Sequence, residues 1–329
     1  MLVASLLCLG CIGCASSRSI ARRALEAPNR QFKPSKAFRQ LAVVATNFPV
    51  QQIQVGPPPA TLELMVIEPG DYGAKMISRF TRHRSLLTGM RAHYRFQFGL
   101  DFLEYPPQPK LETNNIRDTI FLLPGYSSDK NYMLGWGLAL AQAGFRTVLV
   151  DLRGHGHATG DRIYFGGIER TDMVQCLDSL VQRGGCAGAV GALGISYGAA
   201  VDSRVQSVAA ISPYADPGTA VEAFLKAKAP LMPKRMARKV AGIIMTNLAA
   251  QWPDLTTETA VRGVQRPILF VRGERDKLSS QEFLNRLQAV APKGSEVIVV
   301  PIANHLNTGL CIDSLEGPVT NWFRAHLTR

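Results

Sequence analysis

Short apolar runs alternate with amphipathic stretches along the second half of the chain. The runs fall at residues 119–123, 146–150, 189–194, 205–211, 268–271 and 296–300, and each is four to seven residues long. Helical spacing separates them at 132–144, where Gly144 ends the pattern, at 170–183 and at 280–290. Buried strands separated by helices predict an α/β fold, a mostly parallel central sheet covered by helices on both faces. Upstream, Val55-Gly56-Pro57-Pro58-Pro59-Ala60 reads as a rigid break and residues 61–67 as the first strand, so the folded domain is expected over 60–329. In such sheets ligands bind beyond the carboxyl ends of the strands, and the residues just after each run carry the candidate chemistry.

The first fourteen residues, MLVASLLCLGCIGC, hold no charge and are too few to span a bilayer as a helix. They read as a targeting segment over 1–14. The end of the segment, Ile12-Gly13-Cys14-Ala15-Ser16-Ser17, resembles the lipobox of bacterial lipoproteins, which implies lipid attachment at Cys14. Cys11 after Leu9-Gly10 is a second candidate for the same modification. The resemblance implies a bacterial envelope protein facing the periplasm, lipid-anchored to the membrane surface; the alternative is cleavage and secretion to the periplasm. Residues 15–59 then form a basic tether and linker beside anionic headgroups.

The net charge of +12 is concentrated. Residues 18–39, 75–95 and 226–239 each carry a net +6, which leaves the rest of the chain acidic. No RNP, zinc-finger or basic-zipper pattern accompanies these stretches, and no nucleic-acid partner is expected. Of six cysteines three lie in the leader; Cys176, Cys186 and Cys311 have no metal-ligand spacing and allow one disulfide at most, with buried thiols the simpler reading. No metal set, nucleotide fingerprint or flavin signature points to a cofactor.

After the run at 189–194 comes Gly194-Ile195-Ser196-Tyr197-Gly198, a G-x-S-x-G pattern placed where a strand turns into a helix. There the glycines permit a tight turn that thrusts the serine hydroxyl outward. Leu123-Pro124-Gly125-Tyr126, Asp151-Leu152-Arg153-Gly154-His155-Gly156, Gly273-Glu274-Arg275-Asp276 and Asn304-His305 follow other strands in order. Over residues 60–329 the chain resembles the α/β-hydrolase superfamily.

A serine hydroxyl needs a base to take its proton, and the base needs a carboxylate to hold its tautomer. The resemblance implies Ser196 as nucleophile, Asp276 as orienting acid and His305 as base, in the chain order this fold uses. Glu274, two residues before Asp276, is an alternative acid. The backbone N–H groups of Tyr126 and Tyr197 are the implied oxyanion donors. His155 and His157, in a Gly-rich turn, read as structural hydrogen-bonding groups.

Only residues 197–203 separate Ser196 from the next expected strand, fewer than a helical crossover uses. At most one helical turn, with a sheet face left exposed beside it, is expected there. Residues 214–262 are long enough for a small helical cap, or for ordinary crossover helices. The expected function is serine hydrolysis of a small carboxylic ester or acyl substrate. The alternatives are a thioesterase or peptidase with the same triad, and a non-catalytic envelope lipoprotein that keeps the hydrolase fold.

Overall fold

A computed structural model describes residues 16–30, 36–84, 92–108, 118–198, 205–229 and 231–327. The targeting segment, with Cys11 and Cys14, and residues 199–204 of the short crossover lie outside the described residues. Ten strands are described: β1 Val50–Val55, β2 Ala60–Ile67, β3 Ala74–Arg84, β4 Ala92–Phe102, β5 Thr119–Leu123, β6 Arg146–Asp151, β7 Val190–Ile195, β8 Ser207–Ile211, β9 Ile268–Gly273 and β10 Glu296–Val300. Eight of them form one sheet in the order β1-β2-β6-β5-β7-β8-β9-β10. From β6 to β10 every pairing is parallel, whereas β1 and β2 are antiparallel additions at one edge.

The domain starts well before residue 60, which corrects the expected tether and linker. Ile53 and Val55 are buried while Val50, Gln52 and Gln54 are exposed, so this stretch is an edge strand with one wet face. The Gly-Pro-Pro-Pro run is the turn of a hairpin in which Val55 pairs with Ala60. Gln175 secures that turn by accepting from the Gly56 N–H and donating to the Gly56 carbonyl, both at 2.8 Å. Further upstream, helix α1 (Ser17–Leu25) is capped by the Ser16 hydroxyl and buries Ala21 and Leu25. Asn29 then donates to the Gly156 and Ala158 carbonyls, which stitches this segment to the loop after β6.

Helix α2 (Lys36–Ala45) precedes β1; α3 (Leu134–Gln142) joins β5 to β6; α4 (Glu169–Gln182) joins β6 to β7; α8 (Gln281–Val290) joins β9 to β10; α9 (Ile312–His326) closes the chain. Between β8 and β9 lie α5 (Pro217–Lys228), α6 (Lys234–Ala249) and α7 (Thr257–Gly263). α5 and α6 pack together as a helical pair, and α1 packs against α6. In this insertion Phe224 of α5 lies edge-on to the Tyr126 ring at 5.3 Å, beyond the carboxyl end of β5.

The connection from β7 to β8 contains a single described 3₁₀ turn, Ser196–Gly198. The strands beside it are fully buried, which corrects the exposed face expected there. Ala192, Val208 and Ala210 belong to one core cluster with Leu177 and Leu180 of α4 and Leu284 and Leu287 of α8, so helices share the core on that face of the sheet. The basic stretch 75–95 falls on the β3–β4 hairpin, a separate two-stranded sheet in which polar and apolar residues alternate and Phe80 meets Phe96 at 5.0 Å. Cys176 and Cys311 are buried thiols, and burial pushes both up to about 12.

Candidate active site

Ser196 sits at the first position after β7 with φ of 52°, a conformation unusual for a residue with a side chain and characteristic of a strained strand-to-helix turn. Gly198 makes that turn fit. A Cβ there would lie 2.3 Å from the Leu123 carbonyl oxygen, so no larger residue lets the turn pack against β5. From β5 the chain runs through Pro124 and Gly125, and a Cβ on Gly125 would lie 3.7 Å from that of Ser196. The Tyr126 amide follows directly. Tyr126 and Tyr197, the residues after Gly125 and Ser196, thus lie beside this turn.

The Ser196 Oγ lies 3.1 Å from His305 Nε2. His305 Nδ1 in turn lies 3.0 Å from Asp276 Oδ2 and 3.2 Å from Oδ1. With a proton on Nδ1 the imidazole donates to the carboxylate and turns its Nε2 lone pair toward the serine hydroxyl. Asp276 is buried and also accepts the Leu278 and Ser279 amides, each at 2.9 Å. Burial alone would raise its pKa, but the His305 contact and the Ser279 amide outweigh this and hold the carboxyl below the ordinary range.

Local sequence fixes the acid and base loops against each other. Gly273 allows the Ala303 carbonyl to approach to where a Cβ would lie only 2.4 Å away, and Arg275 N–H donates to that carbonyl at 2.8 Å. Asn304 and Asn307 close turns around His305: the Leu306 amide donates to Asn304 Oδ1 and the Asn304 amide to Asn307 Oδ1. Glu274, the alternative acid, instead accepts the Ile302 amide at 2.8 Å. Its carboxylate braces the histidine loop rather than the histidine. The Arg275 guanidinium stacks over the Tyr94 ring at 4.5 Å, so the β3–β4 hairpin supports the acid loop.

The D-x-R-G-H-G segment is scaffolding. Asp151 accepts the Lys130 and His157 amides; Arg153 forms a two-pronged pair with Asp172; Gly156, at φ of 50°, leaves space that the Asp151 carboxylate fills. His155 donates from Nδ1 to the Arg153 carbonyl, and burial pushes its pKa down to about 4, so the ring is neutral. It lies against both Tyr126 and Tyr197. Glu63, Asp151 and His157 have donor atoms close enough to share a cation. The Lys130 ammonium lies among them, 2.7 Å from Glu63, 2.9 Å from Asp151 and 3.3 Å from His157 Nδ1.

Glu169 carries no motif, and the sequence gives it no role. In the fold it is buried at the start of α4 and accepts the Tyr164 and Gly166 amides and, at 2.7 Å, the Tyr197 hydroxyl. Burial raises its pKa in spite of these three donors. Tyr197 is therefore tied through its ring to α4, next to the Ser196 turn. Tyr197→Phe removes that tie while keeping the backbone N–H. A kcat about tenfold lower with KM little changed is expected from a mispositioned donor, and steady-state kinetics on a soluble ester would show it.

Residues 90–215 match the sequence signature of the X-Pro dipeptidyl-peptidase (S15 family). The match includes Ser196 and stops short of Asp276 and His305. No curated protein sequence matches the chain. Among solved structures, an esterase from Pyrococcus furiosus is similar over 90% of this chain and 97% of its own, with 17% identity and a TM-score of 0.55. An α/β hydrolase from a Penicillium species matches 85% of this chain and 99% of its own, at 12% identity and a TM-score of 0.55. A 2,6-dihydroxy-pseudo-oxynicotine hydrolase matches 95% of this chain and 80% of its own, at 16% identity and a TM-score of 0.55. The chain therefore has the α/β-hydrolase fold, a mostly parallel central sheet flanked by helices, in common with these structures.

Proposed function

We propose that the chain is a serine hydrolase that cleaves carboxylic esters through an acyl-enzyme. The supporting observation is the relay from Ser196 Oγ to His305 Nε2 and from Nδ1 to Asp276, at 3.1 and 3.0 Å. In this reading His305 takes the serine proton as Oγ attacks the ester carbonyl, and the Tyr126 and Tyr197 amides receive the oxyanion. The imidazolium then gives its proton to the departing alcohol. A water activated by the same base releases the acid in the second half.

The S15 match favours a second reading, an amide-cleaving peptidase. A dipeptidyl-peptidase holds a free amino terminus, which calls for a carboxylate near the nucleophile. Glu169, the acid beside Tyr197, is already engaged by three donors. The rings around the turn, Tyr126, Phe165 and Phe224, suit an apolar acyl group instead. A panel of p-nitrophenyl esters of increasing acyl length, run beside an X-Pro p-nitroanilide, tests the choice. Ester turnover exceeding anilide turnover by roughly two orders of magnitude is expected; faster anilide release would move the protein to the peptidases.

The proposed location is the bacterial envelope, with Cys14 as the lipid-bearing residue. Cys14→Ser should then shift the protein from the membrane to the soluble periplasmic fraction when membranes are washed at high salt, which removes electrostatic binding. Unchanged membrane retention after that wash would refute Cys14 as the anchor.

A further inference from the structure

The two basic stretches at 18–39 and 226–239 are some two hundred residues apart in sequence, yet the fold brings them together. α1 packs against α6 through its buried side, with Ala21 and Leu25 inward. Arg18, Arg22 and Arg23 are left exposed on α1, and Lys234, Arg235, Arg238 and Lys239 on α6. Neither helix contains an acidic residue. Carboxylates offset the cluster in part: Glu26 pairs with Arg22 at 3.7 Å, and Glu222 of α5 pairs with Lys226 and, at 3.9 Å, with Arg238. The positive balance is large.

Two further features give this surface a direction. Between α5 and α6 the chain turns at Leu231, which is 83% exposed, while Ala229 and Met232 on either side are buried. The buried neighbours hold the turn in place and present the leucine outward. Lys226 precedes it on α5, and Lys234 and Arg235 follow it in the first turn of α6. Basic groups there oppose the partial positive charge of a helix N-terminus, and no side chain caps that end. The arrangement costs the isolated protein stability and is relieved when anions cover it.

We infer that this face of α1 and the α5–α6 cap docks on an anionic lipid bilayer, with Leu231 entering the headgroup region and the basic groups facing lipid phosphates. An exposed apolar tip collared by lysine and arginine matches the layering of a bilayer, polar and anionic outside and apolar within. A nucleic acid offers the phosphates but no apolar layer for Leu231. The inference goes beyond the ester reading and does not depend on the lipid anchor. It has a consequence for the site: α5 carries Phe224, against Tyr126, and leads directly to the docked tip, so substrate would reach the nucleophile turn from the membrane side.

The test uses the full chain in flotation with phosphatidylcholine vesicles, with and without phosphatidylglycerol. Binding to the anionic vesicles should be the stronger and should weaken as salt is raised. The triple variant Lys234→Glu, Arg235→Glu, Arg238→Glu should lose roughly a hundredfold in partition to anionic vesicles, at ~5-fold or more per group, and keep its binding to neutral ones. Leu231→Ser should lower anionic binding severalfold with every charge retained. All four positions are exposed, so turnover of a soluble ester should hold in both variants, and the melting temperature should not fall in either, since acidic groups suit the N-terminus of α6. Equal binding to neutral and anionic vesicles, or wild-type binding by the triple variant, would overturn the inference. So would tighter binding of a short DNA duplex than of anionic vesicles, lost in the same variant.

Discussion

Ser196→Ala is expected to lower turnover of an activated ester by roughly three orders of magnitude or more, with the fold intact. The Ser196 hydroxyl hydrogen-bonds to His305, and the turn itself is set by backbone strain at φ of 52° and by the fit of Gly198. His305→Ala should cost about as much, because nucleophile and base act as a unit and their losses do not add. Asp276→Asn should fall in the same range by favouring the wrong imidazole tautomer. Glu274→Gln is the discriminating control. Its carboxylate serves the Ile302 amide, so it should retain activity within about tenfold.

Lys130→Met is expected to destabilise the protein by about 3–5 kcal/mol, the usual result of removing one partner from a buried ion pair. The lysine side chain is 3% exposed, and Asp151, which it neutralises, is fully buried. Burial works against the charge on Lys130, but Asp151 and Glu63 more than offset it and its pKa is raised. Burial likewise works to raise Asp151, while His157 and Lys130 hold it below the ordinary carboxyl range. The lysine contribution is therefore present at neutral pH and lost only as pH climbs through its raised value. The aspartate contribution is present above the unfolded carboxyl pKa and lost as pH falls through the depressed folded one. Urea denaturation should accordingly show the widest gap between wild type and variant near neutrality, narrowing below the carboxyl range. A gap under about 1 kcal/mol at pH 7 would mean that the cluster is solvated and does not brace the β5–α3 loop.

The parallel part of the sheet is legible in the sequence because strands buried on both faces read as plain apolar runs, as β5, β6, β7, β8 and β9 do, and β10, the half-exposed edge strand, is a run of valine and isoleucine as well. Ser196, Asp276 and His305 lie just after strands, and the resemblance to the α/β-hydrolases singles them out there. The antiparallel edge of the sheet is not legible in this way. In β1 Val50, Gln52 and Gln54 take the wet positions, and the proline-rich turn after it imitates a linker. The β3–β4 hairpin spreads its basic residues between apolar ones, so its charge is more conspicuous than its alternation. α1 buries only Ala21 and Leu25 among nine residues, too small an apolar stripe to mark a docked helix against the arginines around it. Glu169 has no signal because what defines it is contact with Tyr197, 28 residues away, and with two amides.

The most direct test of the triad is stoichiometric labelling with a fluorophosphonate, read by intact mass and by mapping the modified peptide. The account predicts one adduct per chain, on Ser196, absent from Ser196→Ala and slowed by roughly two orders of magnitude or more in His305→Ala. An unlabelled wild type would point to a hydrolase fold without hydrolase chemistry; a label on another residue with ester turnover retained in Ser196→Ala would place the nucleophile elsewhere.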